Sequence, residues 1–350
     1  MGLLAGPLLG TRATAADAPP VARVTRRWPT GNARLFPPAV AGERILCAGD
    51  RTLASIDPAA GAPSWLVEHG LPEGAVFRPR ADAATAVCGG RRELGAWRLD
   101  SGAGIWRCPA RQQFGVPCLH GDRILVGDGH ELRCLALADG TEIWRFAATA
   151  DTQISYAPAA AGATVFVGPG DGRLHALSLA DGAPRWTLDG MATWQYLRQL
   201  HVGDGILVAG SYKETLHGID IATGRQLWEF NAGNFINSHH LADGVAYLWS
   251  PTGWLYAIDA ASGQVRWRLR TTDYRGGRSD WAALLAELTT RDGRLYALDL
   301  GHVLHVLDTV SGKEVARLRL PEPVRPYVLP LGGRRIACGA ENGELLLVEI

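Results

Sequence analysis

No run of about 18 apolar residues occurs anywhere in the chain, so the sequence offers no helix that would cross a bilayer. Net charge is also missing, because 35 Lys and Arg stand against 35 Asp and Glu. A balanced chain lacks the long-range attraction for polyanions that nucleic acid or an acidic membrane would exploit. The six cysteines, Cys47, Cys88, Cys108, Cys118, Cys134 and Cys338, form no CxxC, no CxxCH and no adjacent pair, which removes the usual grounds for a metal or haem site. Cys47, Cys88 and Cys338 lie in apolar runs where other copies carry Val or Leu, and they read as small core residues. A disulfide between Cys108 and Cys118 stays open. There is no phosphate-cradling GxxxxGK, no GxGxxG and no Ser-His-Asp spacing.

What the chain does have is repetition. LYAIDAASGQVRW, Leu255 to Trp267, is the clearest of seven copies of one 13-residue pattern, the others beginning at Leu53, Leu94, Leu132, Leu174, Leu216 and Leu304. Gly61, Gly102, Gly140, Gly182, Gly224, Gly263 and Gly312 stand eight residues after the first Leu. Trp65, Trp106, Trp144, Trp186, Trp228 and Trp267 close six copies, and Ala316 closes the seventh. An Asp at the start of the turn, as at Asp57, Asp220, Asp259 and Asp308, can accept backbone N–H bonds, and Gly tolerates the positive φ that ends it. Each copy therefore predicts a strand, a tight turn and a returning strand. The recurring Trp is expected to pack between neighbouring repeats.

A further apolar run precedes each copy, and before it comes a segment rich in aromatics and Pro. Four short strands every 40 residues or so describe a propeller blade, as in WD40-like rings. The Trp spacings of 41, 38, 42, 42 and 39 residues suit that period. The last repeat, ENGELLLVEI, stops before its turn, and PVARVTRRWPTG at the other end supplies a strand containing Trp28, which is grouped with the recurring tryptophans. The expectation is an all-β, eight-bladed propeller over residues 21–350, its last blade closed by the N-terminal strand so that no edge is left exposed. Residues 1–20 read either as the remnant of a secretory signal without its basic start or as a disordered tail. A periplasmic or extracellular location follows from the first alternative, and a cytoplasmic one from the second.

The pattern Leu-(Tyr/His)-Ala-(Ile/Leu)-Asp-x-x-(Thr/Ser)-Gly-x-x-x-Trp, best seen at Leu255–Trp267 and Leu216–Trp228, resembles the PQQ-like (pyrroloquinoline-quinone-type) propeller repeat. The resemblance implies the fold firmly and the activity weakly. Quinoprotein alcohol dehydrogenases of this kind are longer, carry an adjacent Cys-Cys ring over the quinone, and hold calcium with acidic and amide side chains beside an Asp base. This chain has no Cys-Cys pair and is similar in length to the BamB lipoprotein of the barrel assembly machinery, although no lipobox Cys follows the N-terminal apolar stretch. The implied protein is non-catalytic, a monomeric scaffold that binds a protein partner and holds no cofactor. The alternatives are a quinone-dependent oxidoreductase using PQQ and calcium, and a sensor of a small ligand or carbohydrate.

Function in a propeller sits on a rim, in loops held by the ring. The segments after each Trp carry Phe36, Phe77, Phe114, Tyr156, Trp194, Tyr196, Phe235, Trp281 and Tyr327, with Arg34, Arg78, Gln195, Arg198, Asn237, His239 and Arg325. Aromatic and Arg side chains dominate recognition surfaces. The interval from Trp267 to Ala316 is longer than the others, and the excess contains DWAALLAEL, a short helix pattern with Asp280 as its cap. Tyr274, Arg275, Arg278 and Trp281 are candidate contacts there. His175, His217 and His305 occupy the repeat position of Tyr256 and read as packing. His239 and His240 are adjacent on a strand, point to opposite faces and are unsuited to sharing a metal.

Overall fold

The structure is a computed structural model that describes residues 19–148, 152–190, 198–210, 214–233, 236, 238–271, 287–299, 301–325 and 327–350. The described residues form eight four-stranded antiparallel sheets and no helix. Seven are built from consecutive strands. The eighth joins Arg23–Pro29 to Glu344–Glu349, Arg335–Gly339 and Leu329–Gly332, so the first strand of the chain completes the last blade. Numbering from the N-terminus, the first strands of blades 1 to 8 are Ala39–Ala41, Arg80–Ala81, Cys118–His120, Ala159–Ala161, Arg198–Gly203, Ser238–Ala242, Thr289–Arg291 and Leu329–Gly332. These strands approach one another from blade to blade and form the inner lining of the ring.

Eight separate apolar clusters, one between each pair of neighbouring blades, hold the ring together. Each blade is thus a middle layer covered on both faces. Its second and third strands read as continuous apolar runs, and Arg44–Ala48 and Thr52–Ile56 are almost wholly buried along their length. The fourth strand has one face in water and alternates accordingly, as in Glu142–Ala147, where Trp144 turns inward. Cys47, Cys88 and Cys338 lie in these clusters, and burial pushes their thiols up to about 12. Cys108 and Cys118 are both free, which settles the open disulfide.

The turn chemistry follows the repeat. The Asp57, Asp220, Asp259 and Asp308 carboxylates accept backbone N–H bonds from Ala59, Thr223, Ser262 and Ser311 at 2.8–2.9 Å. Just beyond, the third and fourth strands slip register at the same place in blades 1 to 7, a bulge that adds twist where the returning strand begins.

The fourth strands carry the seams. The indole N–H groups of Trp65, Trp106, Trp144, Trp186, Trp228 and Trp267 donate to Leu99, Leu137, Leu179, Ile221, Ala260 and Thr309 in the turn of the next blade, over 2.8–3.0 Å. Three residues after each acceptor comes the turn glycine of that next blade. A Cβ added to any of these six glycines would lie 2.5–2.8 Å from the ring of the Trp. Their φ values of 69° to 74° favour Gly independently.

Two seams depart from this device, and both adjoin the blade where the chain ends meet. Trp28 is not the eighth recurring Trp, which corrects its grouping by sequence. Arg26 pairs with Leu347, the register position at which Trp144 pairs with Cys134, whereas Trp28 pairs with Leu345 as Phe146 does with Leu132. The bulge between Val24 and Arg26 is the one the other seven blades carry at this place, and it fixes the correspondence. Arg26 donates to the carbonyls of Ala59 and Ala60 in blade 1, and Trp28 is buried against Leu35, Ile45 and Tyr327. Gly61 correspondingly has an ordinary φ and no neighbour within reach of an added Cβ. On the other side, Ala316 faces blade 8, whose third and fourth strands come from opposite ends of the chain and share no turn. With no turn to seal, a Trp has no acceptor there.

Candidate functional site

The first strand of every blade runs in the same direction along the inner wall, so the segments that lead into these strands share one rim. Carboxylates hold two of these segments rigidly. Asp50 accepts the backbone N–H groups of Ala33 and Arg34 at 2.8 and 2.9 Å, and Asp128 does the same for Arg111 and Gln112 at 2.7 and 2.8 Å. Burial alone would raise the Asp50 carboxyl, but these N–H bonds outweigh it and hold the group below its ordinary value. The buried Arg133 bonds Asp128 at 2.9 Å and Glu142 at 2.7 Å, and its guanidinium lies 5.6 Å from the Phe114 ring centre. Beside this scaffold an open cleft of about 280 Å³ is lined by Gln112, Gln113, Gly129, His130, Thr152 and Gln153.

The sequence candidates divide three ways. Phe114 is 1% exposed and serves as packing under the rim, so it offers no contact surface. Tyr156 is half-buried, and Arg325 is half-buried with its guanidinium 6.0 Å from the Phe36 ring. Tyr327 is buried among the residues of the seam between blades 8 and 1, but its ring meets Arg78. Trp194, Tyr196, Phe235, Asn237, Tyr274, Arg275, Arg278 and Trp281, together with the predicted helix up to Ala286, lie outside the described residues.

The structure brings together a cluster that the sequence did not show as one. Arg78, on the segment leading into blade 2, pairs with Glu287 of blade 7 and lays its guanidinium 3.8 Å over the Tyr327 ring of blade 8. Because these residues come from well-separated parts of the ring, their contact bridges the space around its axis. Arg80 donates Nε–H to the Pro117 carbonyl of blade 3 at 3.3 Å. Burial and then the neighbouring Arg78 charge lower its pKa.

Arg80, Cys118, His201, His240 and Thr289 hold the same register position in their blades, pairing with Val87, Leu125, Val208, Tyr247 and Tyr296. Laying the first strands side by side, two residues ahead of each hairpin, is the signal that would have found them. His201 packs 4.9 Å from His239 and 5.7 Å from His240, and His240 Nε2 lies 3.1 Å from Thr290 Oγ1. Burial, with the Arg78 charge adding to it, lowers His240 to about 4, and burial alone is the main cause of the same value at His239. All three rings are thus neutral near pH 7. No group of three His, Cys, Asp or Glu among the described residues is arranged to hold a metal.

The ring and its repeats define a closed eight-bladed propeller of the PQQ-like class. The chain belongs to the family described as outer membrane protein assembly factor BamB, whose pattern matches residues 90–200, 191–280 and 253–349. BamB from Moraxella catarrhalis superposes with a TM-score of 0.73 at 19% identity, over 94% of this chain and 100% of that one. The Saccharomyces cerevisiae protein Sqt1 gives 0.77 at 11% identity over 94% and 99%, and a europium-containing methanol dehydrogenase gives 0.74 at 10% over 94% and 93%. At these identities the likeness speaks for the fold alone. No curated protein matches the sequence significantly.

Proposed function

We propose that the protein is a non-catalytic scaffold of the bacterial envelope that engages a protein partner through the rim leading into the first strands. The observation that carries this reading is the contrast between a uniform ring and one rim whose segments differ from blade to blade, two of them pinned by Asp50 and by Asp128 with Arg133. A rigid frame that presents unlike loops is suited to recognition, because little ordering entropy is lost on contact. Membership of a family described as an outer membrane assembly factor supports the envelope location and the partner-binding role. Tyr156, Arg325 and the segments around Trp194, Phe235 and Trp281 are the proposed contact positions. The reading assigns no quinone, so titration with PQQ and calcium should produce no stoichiometric binding.

The test is site-specific photocrosslinking in the native organism. A photoreactive residue at Tyr156 or Arg325 should yield one recurrent protein adduct, and the same residue at Ile143 on an outer strand should not. Equal labelling at all three positions, or none at any, would overturn the scaffold reading.

A further inference from the structure

The cluster on the axis holds more positive than negative charge. Arg78 and Arg80 contribute two guanidinium groups, and Glu287 is the carboxylate that answers them. Arg80 makes no ion pair among the described residues, and its single bond there is to the Pro117 carbonyl. His240 and the Cys118 thiol are kept neutral by burial and supply no counter-charge. Arg78 Nε is moreover buried without a hydrogen-bond partner. Two desolvated guanidinium groups that share one carboxylate are costly to keep, and such a pair favours contact with a further anion.

We propose that Arg80, with the free edge of Arg78, forms a binding site for a carboxylate. Arg78 already shows the preference locally, since the group it holds is the carboxylate of Glu287 presented from across the ring. A second carboxylate would take the forked N–H donors of Arg80, a geometry that suits a planar two-oxygen acceptor. On the scaffold reading above, on which this rests, the carboxylate is an Asp or Glu side chain, or the chain end, of the partner protein.

The unliganded protein provides the first readout. Arg80→Gln removes an uncompensated charge, so its melting temperature should equal or exceed that of the unaltered protein, where a purely structural arginine would lower it. The second readout uses glutarate as the probe, with chloride at matched ionic strength as the control. Glutarate should raise the melting temperature of the unaltered protein in a saturable way, less so for Arg80→Lys, which keeps the charge and loses the fork, and not at all for Arg80→Gln. No glutarate-specific rise, or an undiminished rise in Arg80→Gln, would overturn the site.

The crosslinking experiment then separates the source of the carboxylate. Loss of the rim adduct in Arg80→Gln assigns it to the partner. A glutarate response with the adduct intact keeps the site, overturns its assignment to the partner and assigns it to free small carboxylates. Absence of the adduct in the unaltered protein fails the scaffold reading whatever glutarate does.

Discussion

The outer seams and the axial cluster are built on opposite rules. At the seams one device recurs six times: an indole donates to a carbonyl in the next blade and lies under a glycine that has no room for a side chain. Near the axis equivalent register positions carry Arg80, Cys118, His201, His240 and Thr289, no two adjacent blades agreeing except the histidine pair. Repetition secures the ring against dispersal, and because each seam is stable by itself, the axial positions are free to vary.

Breaking a seam should give the largest effect. Trp186→Ala removes both the indole bond to Ile221 and the packing under Gly224, and should cost about 3–5 kcal/mol by denaturant unfolding; a loss below about 1 kcal/mol would show that the seam is ornamental. Ala316→Trp, placed where the next blade has no turn, should bring no such gain. Gly263→Ala should cost about 2–3 kcal/mol, since its φ is 74° and the new Cβ would lie 2.6 Å from Trp228, whereas Gly61→Ala should stay within about 0.5 kcal/mol.

Acid should weaken the axial side next. His239 and His240 fall to about 4 in the folded protein, from an ordinary value of 6.5. The unfolded chain therefore binds more protons between those limits. The stability these rings contribute is complete above about pH 6.5 and is lost as pH falls toward 4, by on the order of 3 kcal/mol each. His240→Gln should flatten that part of the stability profile. His305 carries the opposite sign. Burial would lower it, but Asp299 and Glu314 outweigh burial and raise it, so its contribution is present below about 6.5 and fades as pH rises through the folded value. Arg26→Ala, at the seam that uses an exposed cation in place of an indole, should give the smallest change, about 1 kcal/mol or less.

The ring was legible because its signal is local. The Leu, Gly and Trp of one repeat sit within 13 residues, and the period of the tryptophans leads to the blade count without any knowledge of distant contacts. Trp28 was misplaced because residue type was followed over spacing: it stands 37 residues before Trp65, outside the 38–42 of the other intervals, whereas Arg26 stands 39 before it. The axial cluster was largely hidden: Tyr327, Arg78 and His239 could be picked out as rim residues, but nothing in the sequence joins residue 78 to residues 287 and 327 until the ring closes. Phe114 was misread because an aromatic residue in a rim segment looks alike whether it faces water or plugs the gap beneath its own loop.

The blade shared between the chain ends also dictates an order of events during synthesis. Val24 must find Val348, and Trp28 must find Leu345, across more than nine-tenths of the chain. Until residues 329–349 have been made, blade 1 and blade 7 each keep an apolar face without a neighbour, which is the condition under which nascent chains associate wrongly. A circular permutant opened in the turn at Gly182 and joined through a linker from Ile350 toward Ala22 would replace this longest-range pairing by a local hairpin. It should refold no faster, because Pro184–Asp189 would then have to find Arg173–Ser178 across a span of the same length, and the late-forming junction moves from blade 8 to blade 4.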